Sequence, residues 1–536
     1  MSDTRTCGQA IAALLEDYGV DTVFGIPGVH TLELYRGLAA SGIRHVLVRH
    51  EQGAGFMADG FARASGRPGV CILITGPGVT NAATPMGQAY SDSVPMLVIS
   101  SVNATGDLGR GHGMLHEITD QRAASAPLTA FSGTAHTAAD IPELVGHAFG
   151  IFAGRRPRPV HIEVPLDVLM APAAGDWSVR AAGAPPAPDA EGVAAAVRLL
   201  AGAERPAIVA GGGARSAGPS VRRIAEALGA TVMTTVAGKG IVPDSHPLSF
   251  GSCMTTSAGR EALADADAVL AIGTELSATD HYVDRLPLPD ALIRVDIDAG
   301  RTGDPRYPAA VAIHADAAAT AAALAAALED MALDRQHDAA EARVATLRRN
   351  LAGRNHPLHL RHKKVLDVLR AALPEDGVVA SDMTQIAYTG LNTFPTERPD
   401  TWFHPSGYGT LGYALPAAIG AKLALPDRAV VALAGDAGFL FTVQELATAA
   451  ELGLPVAVLL WNNDALGQIR DDMVADGIPE IGVVPRNPDF QTIGRAFGCH
   501  TARPDGLDEL GAALGEAFGA DGPTLIEMRH DVPELI

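Results

Sequence analysis

Cysteine is scarce in this 536-residue chain. Its four copies, Cys7, Cys71, Cys253 and Cys499, lie far apart, with no Cys-x-x-Cys pair. That argues against a disulfide scaffold or a thiolate zinc site and suits a reducing, cytoplasmic setting. Positive charge is also in deficit. There are 40 Lys and Arg against 61 Asp and Glu, a net charge of −21. Such a chain repels nucleic acid unless it carries a local basic patch. The densest basic stretch, residues 361–364, precedes an apolar-periodic segment and reads as a solvated helix start. Long apolar runs are missing. The Ala-rich stretch 317–328 is too short to span a bilayer and suits a packed helix. The N-terminus is amphipathic, with no basic and then apolar leader, which argues against a secretory signal.

What is present is a rhythm. Short apolar runs (70–74, 96–99, 207–210, 268–272, 429–434 and 456–460) alternate with longer helical patterns, and several end in Gly- or Asp-rich turns. Runs apolar on both faces are strands of parallel sheets. The fold class expected is α/β, with three doubly wound parallel-sheet domains. A Pro/Ala/Gly linker at 171–192 and a charged segment at 336–359 divide the chain into 1–170, 190–335 and 355–536. The first and third pieces match in size and class, which permits a structural repeat.

The strongest chemical signal is in the third piece. Gly435-Asp436-Ala437-Gly438 follows one strand, and Asn462-Asn463 ends the next, one strand–helix–strand unit later. Both motifs then emerge at the carboxyl edge of a parallel sheet, where open α/β folds bind ligands. A carboxylate with an amide oxygen suits Mg²⁺, and small residues at a helix start let backbone N–H groups approach a diphosphate. The plain alternative is an ordinary strand-to-helix turn with an unrelated Asn pair.

These motifs, with GYGTLGYALPAAIGA, HEQGAGFMADGFARASGRPGV and NPDFQTIGRAFG, resemble the thiamine diphosphate enzymes of the acetolactate synthase-like group over nearly the whole chain. The resemblance implies an N-terminal pyrimidine-binding domain, a Rossmann-like central domain and a C-terminal diphosphate-binding domain. It implies thiamine diphosphate and Mg²⁺, the metal held by Asp436, Asn463 and the backbone carbonyl of Ala465. It assigns Glu51 to the cofactor's pyrimidine N1′. There a carboxyl group in an apolar site shares a proton with the ring and so promotes loss of the thiazolium C2 proton. Gly409 would face the 4′-amino group, Leu411 would wedge the cofactor, and Thr384, Gln385, Ala437 and Gly438 would hold the diphosphate. Taken alone, Glu51 reads more simply as a helix-start carboxylate facing the positive end of the dipole, and the resemblance reverses that. In this family the active site joins two subunits, which implies a homodimer and, beyond it, a tetramer.

Departures point to the substrate. Acetolactate synthases carry a Gln after the strand MLVIS, where this chain has Ser101, and a Trp where it has Asp472. The His–His pair of pyruvate decarboxylases is absent. Glu117, Asp471, Asp472, Asp476 and Glu480 are expected to surround one pocket and suit a cationic tail, because a guanidinium binds carboxylate through paired hydrogen bonds. Singly, each reads as part of a solvated face. The blocks FGIPGVHTLELYRGL and LGRGHGMLHEITDQ resemble those of 5-guanidino-2-oxopentanoate decarboxylases. His30, His112 and His116 are candidate proton donors or substrate-carboxylate contacts. In the central piece the glycines of AGGGARSAG depart from the dinucleotide spacing, and Glu275 stands where the synthases tend to have Arg; both argue against FAD. The competing activity is a pyruvate-using carboligase. A catalytically silent relative is disfavoured, because Glu51, Asp436 and Asn463 are all present.

Overall fold

The computed structural model describes residues 5–331, 333, 337–353 and 356–535. The expected boundaries at 335 and 355, and Gln336, lie outside the described residues. Each apolar run pairs only with parallel neighbours, so three parallel sheets of six strands form. The first holds β1 (Thr22–Gly25), β2 (Arg44–Leu47), β3 (Gly69–Leu73), β4 (Met96–Val102), β5 (Phe131–Thr134) and β6 (Val160–Pro165), in the order β2-β1-β3-β4-β6-β5. The second holds β7 (Pro206–Ala210), β8 (Thr231–Thr234), β9 (Ser249–Gly251), β10 (Ala268–Ile272), β11 (Leu292–Asp296) and β12 (Val311–His314). Its order, β12-β11-β10-β7-β8-β9, is the dinucleotide-fold order with its crevice between β7 and β10. The third holds β13 (Val378–Ser381), β14 (Trp402–Phe403), β15 (Val430–Gly435), β16 (Val456–Asn462), β17 (His500–Ala502) and β18 (Thr524–Arg529). Its order, β14-β13-β15-β16-β18-β17, repeats that of the first sheet strand for strand. The first and third domains are therefore a structural repeat without a legible sequence repeat.

No helix or strand occupies residues 171–189, as the linker composition requires. The Ala-rich run is a helix, Ala317–Glu329, buried along one face. Among the described residues no helix is long and apolar enough to cross a membrane. All four cysteines are buried and free. One expected helix starts late. The Asp436-Ala437-Gly438 turn itself forms a short helix, Asp436–Phe439, and the next runs only over Glu445–Glu451. The gap seats the Thr442 hydroxyl on the Gly412 carbonyl at 2.8 Å, which ties this turn to the glycine-rich loop.

The first and third domains are joined backbone to backbone. Helix Glu51–Ser65 packs on helix Ala414–Ala424. A Cβ on Gly60 would stand 2.0 Å from the Ala417 carbonyl oxygen, and one on Gly420 2.0 Å from that of Met57. Small residues in both blocks are thus a packing requirement. One apolar core runs through the joint, from Phe24 and Phe56 to Phe439 and Leu460.

Candidate active site

At the carboxyl edge of the third sheet, Asp436 follows β15, opens the short helix Asp436–Phe439 and is 1% exposed. Asn463 follows β16. One terminal atom of the Asn463 amide lies 3.3 Å from Asp436 Oδ1 and 2.8 Å from the Ala465 carbonyl oxygen. As nitrogen, that atom donates to both. As oxygen, it completes three converging oxygens that repel one another unless a cation sits among them. A carboxylate, an amide oxygen and a carbonyl suit a hard, oxygen-seeking ion such as Mg²⁺. Burial raises the Asp436 carboxyl above its ordinary range, a cost that a cation would offset. Thr384, Gln385, Gly409, Leu411, Ala437 and Gly438 line the same cleft as Asp436, Asn463 and Ala465, about 240 Å³ in volume. The sequence-predicted residues of the third domain therefore come together.

Two further residues shape this cleft. Asn487 donates to Asp436 Oδ2 at 2.7 Å; it opens the block NPDFQTIGRAFG, but nothing in its spacing marks it. Asp382, after β13, accepts from the N–H groups of Met383 at 2.8 Å and Gly412 at 3.0 Å. Burial pushes it to about 6. It anchors the turn at Gly412, whose φ of 81° favours glycine. Its signal in the sequence was its place after a strand, the same as that of Asp436.

A second cluster sits at the carboxyl edge of the first sheet. Glu51 opens its helix, is 8% exposed, and accepts from Asn81 Nδ2 at 2.9 Å. His30 lies within 2.9 Å of the Thr75 hydroxyl, and its ring meets that of His116 edge-on at 5.2 Å. Burial, aided by His116, lowers its pKa. His112 stands apart, exposed and paired with Asp107. A glutamine does reach the end of strand MLVIS, from twenty residues on. Gln121 accepts from the Gly76 N–H at 2.7 Å and donates to the Ser101 carbonyl at 2.9 Å.

The expected acidic group does not form around one pocket within the chain. Glu117 lies in a first-domain cleft beside His116, and Asp471 and Asp472 lie on the third-domain helix Gly467–Ala475. The Glu117 carboxylate turns back to accept from the N–H groups of Gly111, His112 and Met114 at 2.9, 3.3 and 2.9 Å. Those bonds hold its pKa low and shape the loop carrying His116. Asp471 accepts from Gln385 at 2.7 Å. Asp472 accepts from Gln468 and lines a cavity of about 640 Å³ that shares Met383, Tyr388 and Gln468 with the cleft around Asp436. Asp476 and Glu480 are exposed beyond it.

Three family descriptions match along the chain. They are the thiamine pyrophosphate enzyme N-terminal TPP binding domain at residues 5–124, the central domain at 193–324, and the C-terminal TPP binding domain at 382–528. The chain is a thiamine pyrophosphate enzyme. Among its curated relatives is the probable 2-ketoarginine decarboxylase AruI of Pseudomonas aeruginosa, 56% identical over 98% of this chain and 94% of the relative. The acetolactate synthase isozyme 1 large subunit of Escherichia coli is 32% identical over 99% of this chain and 95% of its own. The acetolactate synthase of Mycobacterium bovis is 34% identical over 97% and 87%.

In this thiamine pyrophosphate enzyme the two clusters belong to the two TPP binding domains. The central domain is built differently at its crevice. Glu275 is paired in bidentate fashion with Arg156 of the first domain, at 3.0 and 3.1 Å. Cβ atoms on Gly211 and Gly213 would stand 2.4 and 2.9 Å from Gly273, so these glycines serve loop packing. The crevice itself is open, about 380 Å³ and bordered by Gly212, Gly213 and Gly273, but the acids Glu275, Asp280 and Asp296 on its wall do not suit a flavin diphosphate.

Proposed function

We propose that this enzyme uses Mg²⁺ with its thiamine diphosphate to decarboxylate 5-guanidino-2-oxopentanoate (2-ketoarginine) without oxidation. The observation that carries this reading is the 56% identity to the probable 2-ketoarginine decarboxylase, against 32–34% to the acetolactate synthases. Bound thiamine diphosphate would supply the electron sink that accepts the pair released with CO₂.

The chain's own residues do the rest. Asp436, Asn463 and the Ala465 carbonyl would hold the metal. Thr384, Gln385, Ala437 and Gly438 border the diphosphate. Gly409 and Leu411 set the ring geometry. Glu51, buried and held by Asn81, would exchange a proton with the pyrimidine nitrogen of the bound cofactor. His30 and His116 face the reacting carboxylate and deliver the proton that replaces it. Asp472, with Asp471 beside it, takes the guanidinium, and Glu117 shapes the loop that presents His116. FAD has no place in this reading.

Glu51 and Asp436 follow strands of different sheets, and Glu51 is not among the residues that line the cleft around Asp436. Large apolar side chains stay exposed beside each cluster: Val29, Leu32 and Leu115 in the first domain, Phe441 and Ile469 in the third. Both features support a homodimer whose active sites form between subunits. Buried free cysteines support a cytoplasmic location. A CO₂-release screen of 2-oxo acids, with thiamine diphosphate and Mg²⁺ added, tests the reading. The guanidino acid is expected to lead. Faster turnover of pyruvate, with acetolactate as product, would reject it.

A further inference from the structure

Glu445 is a third-domain carboxylate committed to the first domain. It opens helix Glu445–Glu451 and is 0% exposed. Its Oε1 accepts from the backbone N–H groups of Arg49 and His50, each at 3.1 Å. Its Oε2 accepts from the Thr448 hydroxyl at 2.8 Å. Arg49 and His50 form the turn between β2 and the helix that begins at Glu51. The same third-domain helix grips this turn again, through an ion pair between the Arg49 guanidinium and Glu451. Gly53 yields to the carboxylate, since a Cβ there would stand 2.3 Å from Glu445 Oε1.

Burying a carboxylate is costly, and burial pushes Glu445 to about 7. Two N–H groups at a helix start offset part of that cost. An apolar side chain would avoid the cost but leave both N–H groups unpaired at the residue pair preceding Glu51.

From this geometry we infer that Glu445 is a positioning residue: it fixes the turn that aims Glu51 at the cofactor. The inference rests on the proposed role of Glu51. Because Glu445 follows the metal-binding segment on the same chain, it also ties the aim of Glu51 to the folding of the third domain.

Three variants test it: Glu445→Leu, Glu445→Gln and, as control, Glu51→Gln. Two quantities are read: amide hydrogen exchange of residues 47–56 in the cofactor-free enzyme, and the C2 hydrogen–deuterium exchange rate of bound cofactor. Glu445→Leu should expose the Arg49 and His50 amides and slow C2 exchange about tenfold to a hundredfold, the scale of a 1 Å misplacement. It should lower kcat rather than raise KM and leave cofactor affinity nearly unchanged. Glu445→Gln keeps an oxygen for both amides and should recover most of the rate. If Glu445→Leu does not fold, Gly53→Ala displaces the same carboxylate and should reproduce the loss. Wild-type C2 exchange in a folded Glu445→Leu or Gly53→Ala variant, with Glu51→Gln slow, would overturn the inference alone. Unchanged exchange in Glu51→Gln would overturn the role of Glu51 itself.

Discussion

Replacing Asp436 by Asn separates what this carboxylate does for the fold from what it does for the cofactor. It is the one charged oxygen of the three that converge with Asn463 and Ala465. Without its charge, two neutral oxygens and an amide would face the proposed Mg²⁺. Removing one member of a buried charge pair costs about 3–5 kcal/mol, or roughly two to almost four decades of affinity. The cofactor-free protein should respond in the opposite sense. Its folded state holds the Asp436 proton more tightly than the unfolded chain does, because burial raises the pKa. Stability therefore falls as pH rises from the ordinary carboxylate range through the raised value, and the deficit persists at neutral pH. Asn removes that deficit and can still accept from Asn487. Thermal unfolding with and without thiamine diphosphate and Mg²⁺ reads both effects. Ligand at about a hundred times its Kd adds about 2.7 kcal/mol, roughly 5–10 °C for a domain of this size. Wild type should show that increment. Asp436→Asn should lose it while its cofactor-free Tm stays equal or rises. An intact increment, or a cofactor-free Tm several degrees lower, would refute the assignment.

Glu51→Gln should slow C2 hydrogen–deuterium exchange by about 10² or more with cofactor affinity largely kept; exchange followed by NMR after acid quench checks this. Asp472→Asn should cut the kcat/KM advantage of 5-guanidino-2-oxopentanoate over 2-oxohexanoate about tenfold, the low end for a charge-assisted bond because the carboxylate is exposed. Equal preference before and after substitution would move the tail contact elsewhere. His362 is buried against the Thr389 hydroxyl, and its pKa is lowered to about 3. The unfolded chain takes up this proton first, so His362 withdraws stability as pH falls from about 6 to 4, at about 1.4 kcal/mol per pH unit. In His362→Asn the unfolding free energy should lose one proton of pH dependence over that range; parallel curves would contradict the shift.

The strands and the parallel class were legible because each is a local property. A run such as 268–272 is apolar on both faces, and only a doubly covered sheet can use it. The edge position of Asp436 and Asn463 was legible for the same reason: one strand–helix–strand unit leaves little freedom in where its ends emerge. The identity of Gly60 and Gly420 could be read as a family block, but its cause, two helices in backbone contact, could not. Asn487 reaches Asp436 across fifty-one residues, and Gln121 reaches Gly76 across forty-five. No periodicity records such pairs.

Glu117 shows the limit from the other side. Its charge suggested a ligand for a cationic tail, yet three N–H groups of its own loop take the carboxylate. Loop conformation decides that, and composition does not encode it. By itself the sequence determined the α/β architecture, the thiamine diphosphate resemblance and the chemical types at the site, since these follow from short-range pattern and side-chain identity. Only the tertiary structure decided that the Asn463 amide meets Asp436 and the Ala465 carbonyl, that the first and third sheets repeat one another strand for strand, and that Glu445 spans two domains to hold the turn before Glu51. Hydrogen bonds act over about 3 Å, and which residues lie within that distance is settled by packing between segments hundreds of residues apart.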